Sequence, residues 1–295
     1  MKIEKILFPT QFREPAFKTL ETLLVLKDAG LKEIILCFIV PIEEVAFVPF
    51  GGYLKEEEER LREEAKIRFE DWQKSLARTG IGTRSVIEVG DPVAKILSIA
   101  EKERVDLIIA GKRRRTGDEG ILLGSRTVEI LRRSRIPVLA HKYMVQFAWE
   151  GEMVTRTNER IFERPLLATD WSPSAGRALE LLASLKNVVK KAIVTHIIPS
   201  RLSRGAGMGE MLQMEKERRE ALERQREALE RTGMEVESHL SAGDEAEEIL
   251  SISREFDASM IFMGTTGKDR LHEFFLGSVS HRVAEKSELP ILIAP

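Results

Sequence analysis

One cysteine stands among the 295 residues, too few for an internal disulfide, and without a Cys-x-x-Cys pair or a His/Cys cluster the sequence offers no structural zinc site. Long apolar runs are also missing. The longest, residues 34–40, is seven residues, far short of the roughly 18 to 20 that a membrane-crossing helix needs. Nor is there an excess of charge: 46 basic against 48 acidic side chains leave a net charge of −2, which excludes a chain that gathers nucleic acid by overall charge. The first residues carry the acid Glu4 and lead into no extended apolar region, so no secretory signal is expected and a cytoplasmic location is. What is present is a 43% hydrophobic content, enough for a sizeable core, over a length that suggests about two domains. Cys37 lies inside the apolar run and is expected to be a buried strand residue.

The chain repeats itself. Leu7 aligns with Leu166, Thr10 with Thr169, Leu20-Glu21 with Leu179-Glu180 and Ile34 with Ile193, always 159 positions later. From Arg78 onward the offset is 153, so the second copy lacks six residues between Val40 and Arg78. In that register Gly80 falls on Gly233, Gly90-Asp91 on Gly243-Asp244, Gly111 on Gly264, Gly124-Ser125 on Gly277-Ser278 and Pro137 on Pro290. A period near 155 is too long for a solenoid unit and reads as two homologous domains in tandem, residues 1–145 and 161–295, with the charged segment 146–160 as linker.

Within each copy the order of elements reads β-α-β-α-β-α-β-α-β. In the first, apolar, β-branched runs at 5–9, 33–40, 83–89, 105–110 and 137–141 predict strands. Helical patterns lie between them at 14–29, 56–79, 92–103 and 125–133, and Asp91-Pro92 is a helix start signal. Strands that are apolar throughout and alternate with helices imply a parallel sheet covered on both faces. The expected fold class is therefore α/β: two tandem Rossmann-like domains, each a five-stranded parallel sheet with helices on both faces. Ligands of such sheets bind beyond the carboxyl ends of the strands, where strand order reverses.

The loop after the fourth strand of the second copy is the most informative segment. It runs through Met263 to Gly264, two residues, Gly267, nine residues, then Gly277-Ser278-Val279-Ser280. Glycines three apart let backbone N–H groups approach an anion, and the helix opening at Gly277 offers unpaired N–H groups and a positive dipole end. Each glycine alone could be a tight turn, and Ser278 alone an ordinary N-cap. Together, at this place in such a sheet, phosphate binding is the stronger reading.

On these residues the second copy resembles a universal stress protein domain. The family's pattern, Gly, two residues, Gly, nine residues, Gly, then Ser or Thr, is met by Gly264, Gly267, Gly277 and Ser278, and its acidic residue after the first strand by Asp170. The resemblance covers nearly the whole chain. It implies an adenine nucleotide, ATP, ADP or AMP, lying across the ends of strands one and four, with Mg2+ admissible beside the phosphates. The implied binding set is Thr169, Asp170, Ile197, Met263, Gly264, Gly267, Gly277, Ser278, Val279 and Ser280. Asp170 would face the ribose, backbone near Ile197 the adenine edge, and the Gly267 to Ser280 group the phosphates.

The first copy departs from the pattern. Gln11 stands at the position of Asp170 and Arg114 at that of Gly267, leaving Gly111, Gly124, Ser125 and the Thr127 hydroxyl as a degenerate counterpart site. An arginine there would fill phosphate space and cannot cheaply adopt positive φ. The basic run 112–115 reads either as a solvated loop or as charge lent to an anion or partner. The long helices dense in opposite charges, 55–78 and 210–231, read as solvated faces.

No Ser-His-Asp order, paired catalytic carboxylates, metal triad or Walker A lysine motif emerges. The reading is an adenine-nucleotide-binding stress or regulatory protein that binds mainly in the second domain. Two alternatives stay open: a slow ATP hydrolase or phosphotransferase, and a non-catalytic scaffold for another small molecule. The strands after Pro137 and Pro290 are expected at sheet edges. Through such strands the family associates, which implies an internal pseudo-dimer of the two domains and a homodimer.

Overall fold

The structure is a computed structural model and describes residues 2–13, 15–47, 52–111, 123–149, 152–203, 207–265 and 276–295. The first half runs β1 (Lys5–Pro9), α1 (Ala16–Leu23), β2 (Glu33–Pro41), α2 (Lys55–Leu76), β3 (Gly82–Gly90), α3 (Pro92–Lys102), β4 (Leu107–Gly111), α4 (Ser125–Arg133) and β5 (Val138–His141). A hairpin of β6 (Met144–Trp149) and β7 (Glu152–Thr157) follows. The second half repeats the order with β8 (Pro165–Ala168), α5 (Pro173–Ser184), β9 (Lys191–Pro199), α6 (Met208–Glu230), β10 (Glu235–Gly243), α7 (Glu245–Glu255), β11 (Met260–Gly264), α8 (Ser278–Lys286) and β12 (Ile291–Ala294). Among the described residues no helix is long and apolar enough to cross a membrane.

The ten other strands named above join one sheet in the order β10-β9-β8-β11-β12-β5-β4-β1-β2-β3, while β6–β7 and a short antiparallel pair, residues 46–47 with 52–53, stand apart from it. Within each half the strands are parallel, and order reverses between the first and fourth strands of that half. The strands read as apolar throughout because both faces are covered. Ile6 and Phe8 of β1 point into one core with α1 and α2, while Leu7 points into the other with α3 and α4. Each core runs on into the second half, where α5 and α6 cover one face and α7 and α8 the other. Cys37 is buried in β2 as expected, and desolvation pushes its thiol up to about 12.

The duplication reaches the backbone. Phe12 and Trp171 both take positive φ (55° and 59°), as do Arg104 and Asp257 (51° and 47°) and Gly80 and Gly233 (75° and 96°), each pair at the offset of its alignment. Helix starts repeat as well. Asp91 accepts the Ala94 N–H at 2.8 Å and Asp244 the Glu247 N–H at 3.1 Å, each filling one orphan donor of a first turn.

One expectation is modified: the segment 146–160 contains most of the β6–β7 hairpin, whose register pairs Met144 with Thr157 and Trp149 with Glu152. Each last strand is the edge of its own half-sheet, and the two edges, β5 and β12, pair antiparallel, Leu139 opposite Leu292 and Val138 opposite Ile293. The true edges are β3 and β10.

Polar anchors flank that seam. Lys142, 1% exposed, donates from Nζ to the carbonyls of Ala284 (2.8 Å) and Ser287 (2.5 Å), closing the carboxyl end of α8 from the other half. Asn158 donates to the carbonyls of Lys142 and Glu288. His141, 2% exposed, donates from Nε2 to Thr22 Oγ at 2.9 Å, because the Thr22 hydroxyl proton is committed to the Thr19 carbonyl at 2.7 Å. Its Nδ1 is buried with no hydrogen-bond partner among the described residues. Burial accordingly pulls the imidazole down to about 3.

Candidate functional site

In the second half β8 and β11 are neighbours, and past their carboxyl ends two helix N-termini converge on Gly264. The first belongs to α5. After β8 the chain turns sharply at Trp171, whose positive φ is held by local bonds: the Trp171 N–H donates to Thr169 Oγ at 3.2 Å and the Ser172 N–H to Asp170 Oδ1 at 2.9 Å. Ser172 then caps α5 by accepting the Ala175 N–H at 3.2 Å. The Asp170 carboxylate thus sits at the mouth of the crevice with one oxygen fixing its own turn.

The second terminus belongs to α8. Gly277 is its N-cap, and its N–H donates to the Thr265 carbonyl at 2.6 Å. Ser278 is exposed, Val279 half-buried and Ser280 buried. The Ser280 hydroxyl donates to the Gly264 carbonyl at 2.8 Å, so what it can still offer outward is oxygen lone pairs and the backbone N–H of the first turn. Arg282 locks the helix from behind. It pairs with Asp244 at 2.9 Å, holding that carboxyl below the usual range, while Lys286 at 2.6 Å does the same for Glu247. This fixes α8 against α7.

Gly264 is the hinge of this geometry. A Cβ built there would lie 2.6 Å from the Ala175 nitrogen and 2.7 Å from the Ser174 carbonyl carbon, so glycine is required for β11 to end against the start of α5. Among the described residues, its counterpart Gly111 has nothing within 4 Å of such a Cβ.

Strand β9 outruns β8. The Thr169 N–H donates to the Thr195 carbonyl at 2.9 Å, and β8 ends one residue earlier. Backbone groups alternate sides along a strand, so the N–H and C=O of Ile197 face the same way as those of Thr195, past the end of β8. His196 covers the next position, donating from Nδ1 to the Thr169 carbonyl at 2.8 Å, with its ring centroid 3.9 Å from that of Trp171. Met263 is buried in β11 beneath the crevice.

The structure therefore brings Thr169, Asp170, Ile197, Met263, Gly264, Gly277, Ser278, Val279 and Ser280 to one end of one half-sheet. Gly267 lies outside the described residues. Three features thus share the place where strand order reverses: a strand edge of β9 unpaired past β8, a carboxylate at the strand ends, and two helix N-termini whose N–H groups favour an anion. Among the described residues no group of three His, Cys, Asp or Glu side chains could hold a metal ion.

The first half repeats the frame without the content. Thr127 donates to the Gly111 carbonyl at 2.9 Å as Ser280 does to Gly264, and Gly124 precedes Ser125 at the start of α4. Gln11 is exposed, and Arg114 with the rest of the run 112–115 lies outside the described residues. Sequence reasoning missed Arg126, which stands at the position of Val279 and pairs with Glu43 at 3.1 Å, bridging the start of α4 to the segment after β2. The alignment at offset 153 sets Arg126 on Val279 but carries no sign of its pairing with Glu43.

A cavity of about 580 Å³ lies beside the second-half crevice, between α5 and α6, lined by Trp171, Leu179, Glu217, Arg218, Ala221, Arg224, Gln225 and Ala228. Nothing in the linear pattern marked it.

Comparison with known proteins accounts for this architecture. The universal stress protein family model matches residues 2–142 and again 162–295. The universal stress protein MJ0577 of Methanocaldococcus jannaschii is 35% identical over 153 residues, 47% of this chain and 94% of its own length. The universal stress protein YxiE of Bacillus subtilis is 30% identical over 149 residues, 45% of this chain and 99% of its own. A crystal structure of a universal stress protein from Archaeoglobus fulgidus covers 100% of this chain and 99% of its own, at a TM-score of 0.74 and 25% identity. The chain belongs to the universal stress protein family and carries the family's domain twice.

Proposed function

We propose that this tandem universal stress protein binds one adenine nucleotide, ATP, ADP or AMP, in its second domain, residues 161–295, and that the first domain, residues 1–145, does not. The observation that carries the reading is the convergence of the α5 and α8 N-termini on Gly264, beside Asp170 and the open backbone of Ile197. Asp170 would accept the ribose hydroxyls, Ile197 would pair with the adenine edge over Met263, and the N–H groups from Gly277 to Ser280, with Gly267, would hold the phosphates. Mg2+, where present, would neutralise the phosphate oxygens. In the first domain Gln11 supplies no charge, and Arg126, paired with Glu43, stands at the start of α4 where Val279 stands in the second domain.

The output in this reading is conformation or partner choice in a stress response rather than turnover. The β5–β12 pairing lets the chain serve as its own pseudo-dimer, and a homodimer would add to it at another surface.

Titration calorimetry of the full chain with ATP, ADP and AMP tests the reading. The expected result is one site per chain for at least one of them, weakened at least tenfold by Asp170→Ala and unchanged by Gln11→Ala. Absence of binding by all three, or equal loss from both variants, would overturn it. Phosphate release abolished by Asp170→Ala would convert the binder into a slow hydrolase.

A further inference from the structure

The two halves share a fold but treat one space in opposite ways. In the first half the gap between α1 and α2 is filled by rings: Trp72 lies 5.2 Å from Phe17, 5.4 Å from Phe12 and 6.2 Å from Phe8, centroid to centroid. The helix register in the second half is fixed by buried residues, Phe69 matching Leu222 and Leu76 matching Leu229 at offset 153. In that register Trp72 becomes Gln225, and at offset 159 Phe17 becomes Gly176. A Cβ at Gly176 would meet nothing within 4 Å among the described residues. Two rings are absent, and the cavity of about 580 Å³ stands at that place, within the ~300–1,000 Å³ range of small-molecule sites.

The lining has changed in charge as well as volume. Arg218 and Arg224 stand where the first half has Ala65 and Asp71, and neither makes an ion pair among the described residues. Arg218 packs its guanidinium 5.1 Å from the Trp171 ring centroid. Opposing them is Glu217, which already accepts from Gln213 at 2.8 Å. The Gln225 side-chain oxygen is covered from solvent and has no hydrogen-bond partner among the described residues. Buried acceptors left so cost free energy unless something donates to them. Leu179, Ala221 and Ala228 supply the apolar remainder.

We infer that this cavity is a second small-molecule site, distinct from the nucleotide crevice, for a flat aromatic anion that carries an N–H or O–H donor. The ring system takes the volume that Phe17 and Trp72 fill in the first half. The anionic group meets Arg218 and Arg224, and the donor satisfies Gln225.

The probe 8-anilinonaphthalene-1-sulfonate has all three parts: fused rings, a sulfonate and an aniline N–H. Titrated into the full chain and followed by dye fluorescence and by calorimetry, it should saturate at one site per chain. Gly176→Phe with Gln225→Trp, which restores the first-half filling, should weaken binding at least tenfold. Gly176→Phe alone should weaken it in the same direction if the double variant fails to fold. Arg224→Asp, the first-half residue at that position, should weaken it about tenfold, and excess ATP should not displace the dye. Non-saturable binding, binding indifferent to the cavity variants, or displacement by ATP would overturn the inference.

Discussion

His141 gives the folded state a pH dependence that can be worked from its contacts. Thr22 spends its proton on Thr19 and must accept from the imidazole, so the ring is the neutral Nε2–H form, and a second proton would have to sit on Nδ1, where no acceptor waits among the described residues. Burial lowers its pKa to about 3, against roughly 6.5 in an unfolded chain. Between these values the unfolded chain holds the extra proton and the folded one does not, so stability is intact above about pH 6.5 and lost as pH falls towards 3. At pH 4.5 the loss from this one group is about 2.7 kcal/mol, since two pKa units at about 1.36 kcal/mol each separate that pH from 6.5. Urea unfolding of the wild type and His141→Phe at pH 7.0 and pH 4.5 isolates it, because carboxylates common to both proteins cancel in the difference. The wild type should lose about 2.7 kcal/mol more than the variant on acidification. Equal losses, or a histidine NMR titration placing His141 near 6.5 in the folded protein, would refute the reasoning.

Two further substitutions probe the frame around the sites. Lys142→Met removes both Nζ bonds at the carboxyl end of α8 and leaves those carbonyls buried; partly offset by relief of a buried ammonium, it should cost roughly 2–4 kcal/mol in a denaturant titration with an unchanged slope. Gly264→Ala forces a methyl group against Ser174 and Ala175 and should destabilise by about 1–3 kcal/mol, whereas Gly111→Ala, whose methyl meets no described residue within 4 Å, should destabilise by under about 0.5 kcal/mol.

The alternation of strands and helices was legible because a sheet buried on both faces demands unbroken apolar runs, and residues such as Ile34, Ile35 and Leu36 supply them. The fourth strand starts at Leu107 rather than Val105, since the Asp106 carboxylate takes the Glu4 and Lys5 N–H groups at 2.8 Å instead of pointing from a strand. The hairpin at 144–157 lay outside the reading because its two strands pair only with each other and have no counterpart in the repeated β-α order of either half. Asp170, Gly264 and Gly277 could be read because a fixed spacing defines them. The Arg126–Glu43 pair and the cavity below Trp171 could not, since each depends on residues far apart in sequence meeting across helices. Buried Lys142 looks like an ordinary surface residue following a strand until the Ala284 and Ser287 carbonyls of the second half meet its ammonium.

That closure has a timing. The strand that covers β5 begins at Ile291, 153 positions after Val138. At roughly 5–20 residues per second of synthesis, the first half waits on the order of 10–30 s with one apolar edge of its sheet bare. Such an edge recruits any extended segment nearby, including the same strand of a neighbouring nascent chain. A newborn chain therefore has a window in which to exchange partners, and crowded polysomes making this protein are where swapped, aggregated or chaperone-bound forms should first collect.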